Sequence, residues 1–124
     1  MSQDVVADAL NKIMNARKAG KNSITVSRHS KLLLSVLALA KLKKYINSYK
    51  VDGNSLKIEI GEISGCKAIK PRFVVKADGI DKYVARYLPA KNLGMIIVST
   101  NQGLMTHQTA MDKNIGGSLI AYMF

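Results

Sequence analysis

Polar side chains with hydrogen-bonding capacity cluster near the C-terminal end of the chain. They follow the apolar run Met95–Val98 directly, and they are Ser99, Thr100, Asn101 and Gln102, with Gly103 next to them. Hydroxyls and carboxamides supply neutral donors and acceptors, and a glycine leaves room for another backbone to approach closely. The sequence therefore predicts a polar recognition loop that is presented by a buried strand.

The same stretch contains the residue types of a nucleophile and a base. Ser99 or Thr100 could in principle be activated by His107. However, the sequence has no G-x-S-x-G elbow, no partner carboxylate marked by its context and no phosphate-binding GxxxxGK loop. His107 is expected in the first turn of a helix, as a surface or loop-packing residue. We therefore predict no catalytic residue and no enzymatic activity.

Cysteine and histidine are too few for a disulfide or a zinc site. Cys66 is the one cysteine, and His29 and His107 are the two histidines, with no zinc-ligand spacing between them. Cys66 is expected to pack as a small apolar residue. The sequence predicts no metal, no cofactor and no small-molecule substrate.

The charge of the chain points to a polyanionic partner. Lys and Arg number 19 against 8 Asp and Glu, which gives a net charge of +11 and a pI of about 9.9. The first 50 residues hold 10 of the basic and 2 of the acidic residues, a local charge of +8. Nucleic acid is the first candidate partner and an anionic membrane surface the second. No apolar run approaches the roughly 20 residues that span a bilayer, and no apolar signal region begins the chain, so we expect a cytoplasmic protein.

The first half of the sequence predicts an α+β unit over residues 1–64. A three- and four-residue apolar repeat predicts a helix over Asp4–Arg17, with Asp4 as its cap. A strand over Ser23–Ser27 follows, and then a long, largely buried helix that Ser30 caps and that extends to about Tyr45, with Leu42 among its buried leucines. Residues 47–62 predict a hairpin that turns at residues 52–54.

The second half predicts a unit over residues 65–124 that is mainly antiparallel sheet with short helices, after a hinge at Ser64-Gly65. A strand is expected over Phe73–Val75 and a helix over Ile80–Leu88, in which Tyr83 and Tyr87 contribute to the core rather than stack on RNA bases. Thr106 should cap a helix that Gly116-Gly117 closes, before a final strand over Leu119–Phe124. A DNA-binding module is disfavoured, because the long helix is too apolar to lie in a groove.

Several motifs in one collinear order resemble the family of the universal small-subunit ribosomal protein conventionally numbered eight. The signature is Ser99-Thr100-x-x-Gly103-Leu104-Met105-Thr106-x-x-x-Ala110, followed by Gly116-Gly117. Residues 4–16 resemble the opening helix of that family, Ser30-Lys31-Leu32 the start of its second helix, and residues 69–73 and 86–90 its archaeal and eukaryotic middle.

The resemblance implies a fold, a partner and a set of contact residues. It implies that the protein is a structural constituent of the small ribosomal subunit in the cytoplasm. It also implies that the protein binds the central domain of the subunit's RNA early in assembly and lies beside other ribosomal proteins. Repression of its own messenger RNA is the alternative that the resemblance also implies. The RNA-binding residues expected from residue chemistry and resemblance together are Ser99, Thr100, Asn101, Gln102, Gly103, Thr106, Gly116, Gly117, Lys31, Asn11, Asn15 and Arg72.

The sequence departs from the family pattern in two respects near the loop. Asn101 stands where relatives commonly have Ser or Thr, so an altered base contact is expected there. Gln108 and Thr109 stand where acidic residues are usual, so the capping box is lost and this helix should be less firmly set. The segment from Tyr45 to Val51 is also short, which predicts a reduced hairpin.

Overall fold

A computed structural model describes residues 5–69, 72, 74–90 and 93–124. It divides into two compact units, residues 1–66 and residues 67–124, each with helices and an antiparallel sheet. The expected cap Asp4 and the expected strand residue Phe73 lie outside the described residues. The α+β class predicted from the sequence is confirmed.

The first unit follows the predicted order of helix, strand, helix, strand, strand. Its elements are α1 (Val5–Lys18), β1 (Ser23–Val26), α2 (Lys31–Leu42), β2 (Ile46–Asp52) and β3 (Ser55–Ile60). The sheet order is β1-β3-β2, and Val26 and Val51 both lie opposite Leu56 in the central strand. The fully buried side chains of this unit include Leu10, Ile13, Leu33, Leu37, Leu56 and Ile58. The buried residues of α1 and α2 recur at helical spacing, and those of β3 alternate with exposed ones, so one face of each element packs into the core.

The end of α2 differs from the prediction. Ser30 caps the helix as expected, because its Oγ accepts a hydrogen bond from the backbone N–H of Leu33 at 3.1 Å. The helix nevertheless ends at Leu42, which is 79% exposed rather than buried. Lys44 adopts a φ of 66°, and the N–H of Tyr45 donates to the carbonyl of Ala40 at 3.0 Å, which closes the last turn. A lysine thus occupies the left-handed position that sequence reasoning reserves for glycine.

The second unit is built on a five-stranded sheet with two short helices. In chain order it contains β4 (Cys66–Ala68), β5 (Val74–Val75), a 3-10 turn (Ala77–Gly79), α3 (Ile80–Tyr87), β6 (Met95–Thr100), β7 (Gly103–Thr106), α4 (His107–Asp112) and β8 (Gly117–Met123). The sheet order is β4-β8-β6-β7, with β5 also paired to β8. Strand β6 is central, and its residues Met95–Val98 are all buried.

Tyr83 and Tyr87 pack against the core of the second unit, as expected. Both are half-buried, and they stack with ring centroids 6.3 Å apart. Tyr87 also stacks on Tyr122 at 5.1 Å, and the guanidinium carbon of Arg86 lies 5.6 Å from the Tyr87 ring centroid. These aromatic contacts attach α3 to the end of β8.

The single cysteine, Cys66, is buried at the start of β4 and carries a proton over an extended pH range. Its thiol donates to the carbonyl oxygen of Leu10 at 3.6 Å. Burial raises the pKa of the Cys66 thiol to about 12, from an ordinary value of 9.0, because the thiolate is poorly solvated there. Cys66 is therefore a packing residue, as its sequence context suggested.

Replacing Cys66 by Ala should weaken the alkaline destabilisation of the protein. The unfolded chain loses the thiol proton near pH 9 and the folded chain near pH 12, so stability falls as pH rises through that window and is unaffected below it. Between about pH 8 and about pH 10.5 the wild type should lose about 2 kcal/mol more unfolding free energy than Cys66→Ala. Urea unfolding at both pH values measures this, and equal losses would contradict it.

Candidate nucleic-acid interface

The residues predicted to form a recognition loop form the tip of a β-hairpin. Strand β6 continues through Ser99 and Thr100, and β7 begins at Gly103, so only Asn101 and Gln102 lie between the strands. The sequence predicted the loop after a buried strand but did not predict β7, which follows the loop directly. Ser99 and Thr100 remain in extended backbone because they pair with Leu104 and Gly103 across the hairpin. We call residues 99–103 the tip turn.

The Thr100 hydroxyl closes the tip turn from within. Its Oγ1 accepts a hydrogen bond from the N–H of Gln102 at 3.0 Å and donates one to the carbonyl oxygen of Gly103 at 2.8 Å. Gly103 has a φ of 108°, a conformation that side chains with a Cβ rarely adopt. The turn is thus fixed by one hydroxyl and one glycine.

The two carboxamides of the tip turn face solvent. Asn101 and Gln102 are exposed, and neither side chain hydrogen-bonds to the described part of the chain. Ser99 is half-buried and lies opposite Ser118 of β8. The fixed backbone therefore presents two neutral amide groups, which can both donate and accept hydrogen bonds.

Gly116 and Gly117 do not cap the preceding helix, contrary to the prediction. Helix α4 ends at Asp112, and Asn114, with a φ of 56°, takes the left-handed position while the N–H of Ile115 donates to the carbonyl of Ala110 at 3.0 Å. The two glycines instead permit close backbone packing. A Cβ on Gly117 would overlap the carbonyl oxygen of Ser99, and one on Gly116 that of Val75.

Thr106 caps α4 as predicted, and the cap has a second partner. The Thr106 hydroxyl accepts from the N–H of Thr109 at 3.4 Å and lies 3.2 Å from the Thr109 hydroxyl. Thr109 occupies the position of an acidic capping-box residue, and its hydroxyl supplies the side-chain contact. Thr106 is buried, and its hydroxyl contacts the first turn of α4.

His107 lies in the first turn of α4 as predicted, but it is buried rather than on the surface. Its Nδ1 accepts a hydrogen bond from the backbone N–H of Ile96 at 3.0 Å. Strand β7 ends at Thr106, which lies opposite Ile97, so no residue of β7 lies opposite Ile96. The imidazole of His107 supplies the acceptor for the Ile96 N–H instead. Nδ1 must be unprotonated for this contact.

The remaining predicted contact residues lie on exposed surfaces, away from the tip turn in sequence. Asn11 and Asn15 are exposed on α1, and Lys31 is exposed in the first turn of α2. Arg72 is exposed between two residues that are not described. The second unit thus brings together the tip turn and the two glycines, whereas Asn11, Asn15 and Lys31 belong to the first unit.

The basic excess divides more evenly between the units than the first 50 residues suggested. Residues 1–66 contain 11 Lys and Arg against 5 Asp and Glu, a charge of +6, and residues 67–124 contain 8 against 3, a charge of +5. Asp52, Glu59 and Glu62 reduce the charge of the first unit. Both units can therefore attract a polyanion.

Among the residues that the structure describes, no helix combines the length and apolar character needed to cross a membrane. Across the same residues, no group of three or more His, Cys, Asp or Glu side chains is arranged to hold a metal ion.

Replacing Gly117 by Ala should destabilise the protein by about 2 kcal/mol or more, because the new methyl group collides with the backbone of β6 rather than with a movable side chain. Gly79→Ala is the matched control, since its Cβ would meet only a methyl carbon of Val75 at 3.1 Å. Thermal unfolding compares them. Equal stability of the two variants would refute the close-packing role of Gly117.

Replacing His107 by Phe should cost about 1–3 kcal/mol, because the buried N–H of Ile96 loses its acceptor. His107→Asn should recover part of this loss, since its side-chain oxygen can accept a hydrogen bond near the position of Nδ1. Urea unfolding of the two variants measures the difference. A Phe variant as stable as the wild type would show that the imidazole contact is dispensable.

Comparison with known proteins identifies the family. Residues 4–124 match the family described as Ribosomal protein S8. A relative from the archaeon Nanoarchaeum equitans (strain Kin4-M), named "Small ribosomal subunit protein uS8", is 40% identical over 129 aligned positions that cover all of both chains. This chain therefore belongs to the ribosomal protein S8 family, which is structural and non-enzymatic.

Proposed function

We propose that this chain, a structural protein of the small ribosomal subunit by its family, binds the central domain of the subunit's ribosomal RNA directly and early in assembly. The tip turn would select the RNA, and the basic surfaces of both units would attract it. The protein would act in the cytoplasm, beside other ribosomal proteins.

The observation that carries this proposal is the fixed presentation of the Asn101 and Gln102 carboxamides. The Thr100 hydroxyl and the positive φ of Gly103 hold the backbone of the turn before any partner arrives. A group that is already ordered loses little conformational entropy on binding. Carboxamides can hydrogen-bond to base edges and ribose hydroxyls, which distinguish one folded RNA from another.

Charged and neutral groups would contribute differently to binding. Lys31 and Arg72 are exposed cations suited to phosphate oxygens, and such contacts supply affinity that falls steeply with salt. Asn11 and Asn15 are exposed carboxamides on α1 that could reach ribose or phosphate. Contacts from the tip turn carry no net charge and should therefore persist at higher salt.

The proposal predicts that Gln102→Ala weakens binding to a central-domain RNA fragment about tenfold, without changing its salt dependence. The variant removes one exposed carboxamide and leaves both hydrogen bonds of the Thr100 hydroxyl in place. Lys31→Gln should instead reduce the slope of log affinity against log salt by about one. A salt series on the fragment and on a scrambled hairpin of equal length measures both effects.

Gln108→Ala is the matched control, because Gln108 is an exposed carboxamide on α4 outside the tip turn. It should bind like the wild type. Equal, steeply salt-dependent binding of both RNAs would refute selection by the tip turn, as would equal losses in the Gln102 and Gln108 variants. Adding a fragment of the chain's own messenger RNA to the series tests repression, which would require the same selectivity.

A further inference from the structure

A cavity of about 290 Å³ is lined by residues of the first unit, at the first half of α1 and the end of β1. Val5, Ala9 and Val26 give it an apolar wall, and Ala9 and Val26 are buried. Its volume lies near the lower limit of roughly 300 Å³ for small-molecule pockets. The cavity therefore suits one flat group, of about the size of a nucleobase.

The rim of this cavity is polar and carries a net positive charge. It is formed by Asp8, Asn11, Lys12, Ser27 and Arg28, all of which are exposed. In the described part of the chain, Lys12 and Arg28 have no ion-pair partner within 4.0 Å. Two cations beside an apolar wall match a ligand with a flat apolar face and a nearby phosphate.

The backbone that follows Arg28 is anchored at the next two residues, His29 and Ser30. The His29 ring donates from Nε2 to the carbonyl oxygen of Gly53 at 3.1 Å, and Ser30 caps α2. Arg28 therefore projects from a fixed corner between β1 and α2, although its side chain is exposed.

We propose that this cavity binds one unpaired nucleotide of the RNA, with the base against Val5, Ala9 and Val26 and the phosphate at Lys12 and Arg28. This inference rests on the proposed RNA-binding function. Asn11, which was selected from the sequence as an RNA contact, lines the cavity, and Lys31 follows Arg28 by three residues. The cavity thus lies beside residues already expected to face RNA.

The hydrogen-bonding groups of the rim match the edge of a base. The Asp8 carboxylate accepts hydrogen bonds from amino or imino groups, whereas Asn11 and Ser27 can both donate and accept. The Asp8 carboxylate also repels a phosphate, which favours phosphate contacts with Lys12 and Arg28. An aliphatic side chain of a protein partner would cover the apolar wall. It would leave the five polar side chains of the rim without hydrogen-bonding or charged partners.

Titration of the full chain with mononucleotides tests the proposal directly. In two-dimensional NMR spectra, AMP, GMP, CMP or UMP should shift the amide signals of residues 8–12 and 26–28. Ribose 5-phosphate at the same concentration should shift them several-fold less, because it lacks the base. Equal shifts with ribose 5-phosphate would refute the proposal, because they would show that only the phosphate is bound. The absence of a shift with any nucleotide would refute it as well.

Filling the mouth of the cavity supplies the second measurement. Ser27→Phe places a ring at the exposed rim and should weaken mononucleotide binding at least tenfold and RNA-fragment binding several-fold. Ser23→Phe is the matched control, because Ser23 is an exposed serine at the start of β1 that does not line the cavity, and it should change neither. Equal affinity of the two variants for nucleotides and RNA would overturn the proposal.

Failure of the cavity and failure of the proposed function give different results. In one outcome, Ser27→Phe abolishes the nucleotide-induced shifts, but the wild type shows no preference for the central-domain RNA. This outcome would support nucleotide binding in the cavity and refute RNA selection by the tip turn. Selective RNA binding that Gln102→Ala weakens and Ser27→Phe leaves unchanged would refute the cavity alone. Circular dichroism of each variant confirms that the comparison is between folded proteins.

Discussion

The close approach of β8 to β6 at Gly117 is the constraint on which the candidate interface depends. With no Cβ at that position, the backbone of β8 packs beside the carbonyl of Ser99, directly below the tip turn. Strand β6 is then paired on both edges, to β7 and to β8, as far as Ser99. Because the base of the hairpin is held from both sides, the Thr100 hydroxyl and the positive φ of Gly103 are sufficient to fix the two residues of its tip.

The sequence predicted most elements because their signals are local. Ser30 and Thr106 cap helices at the positions that their side chains and spacing indicated, and alternation in β3 identified its buried face. The glycine pair was misassigned because a glycine after a helix usually marks its C-terminal cap. Which residue adopts the left-handed conformation, here Lys44 and Asn114, depends on tertiary contacts that local sequence does not specify.

His107 shows why parts of the candidate site could not be predicted. A histidine in the first turn of a short helix is ordinarily exposed, and no periodicity marked it as buried. Its position is determined by the end of β7, where the N–H of Ile96 would otherwise lack an acceptor. That requirement can be seen only once the strands are aligned. The exposed carboxamides at positions 101 and 102, in contrast, were identified by residue type alone, because a polar turn after a buried strand is a local pattern.

The same hydrogen bonds bear on how the protein would discriminate between RNAs. Thr100 and His107 were considered as a nucleophile and a base, yet their side chains hold the backbone of the hairpin. The groups left at the tip are neutral, while the net charges of +6 and +5 are spread over the two units. Affinity from phosphate contacts is shared by every RNA. If the chain binds RNA as proposed, discrimination would come from uncharged groups, and a turn whose backbone is already fixed would present them without a further cation.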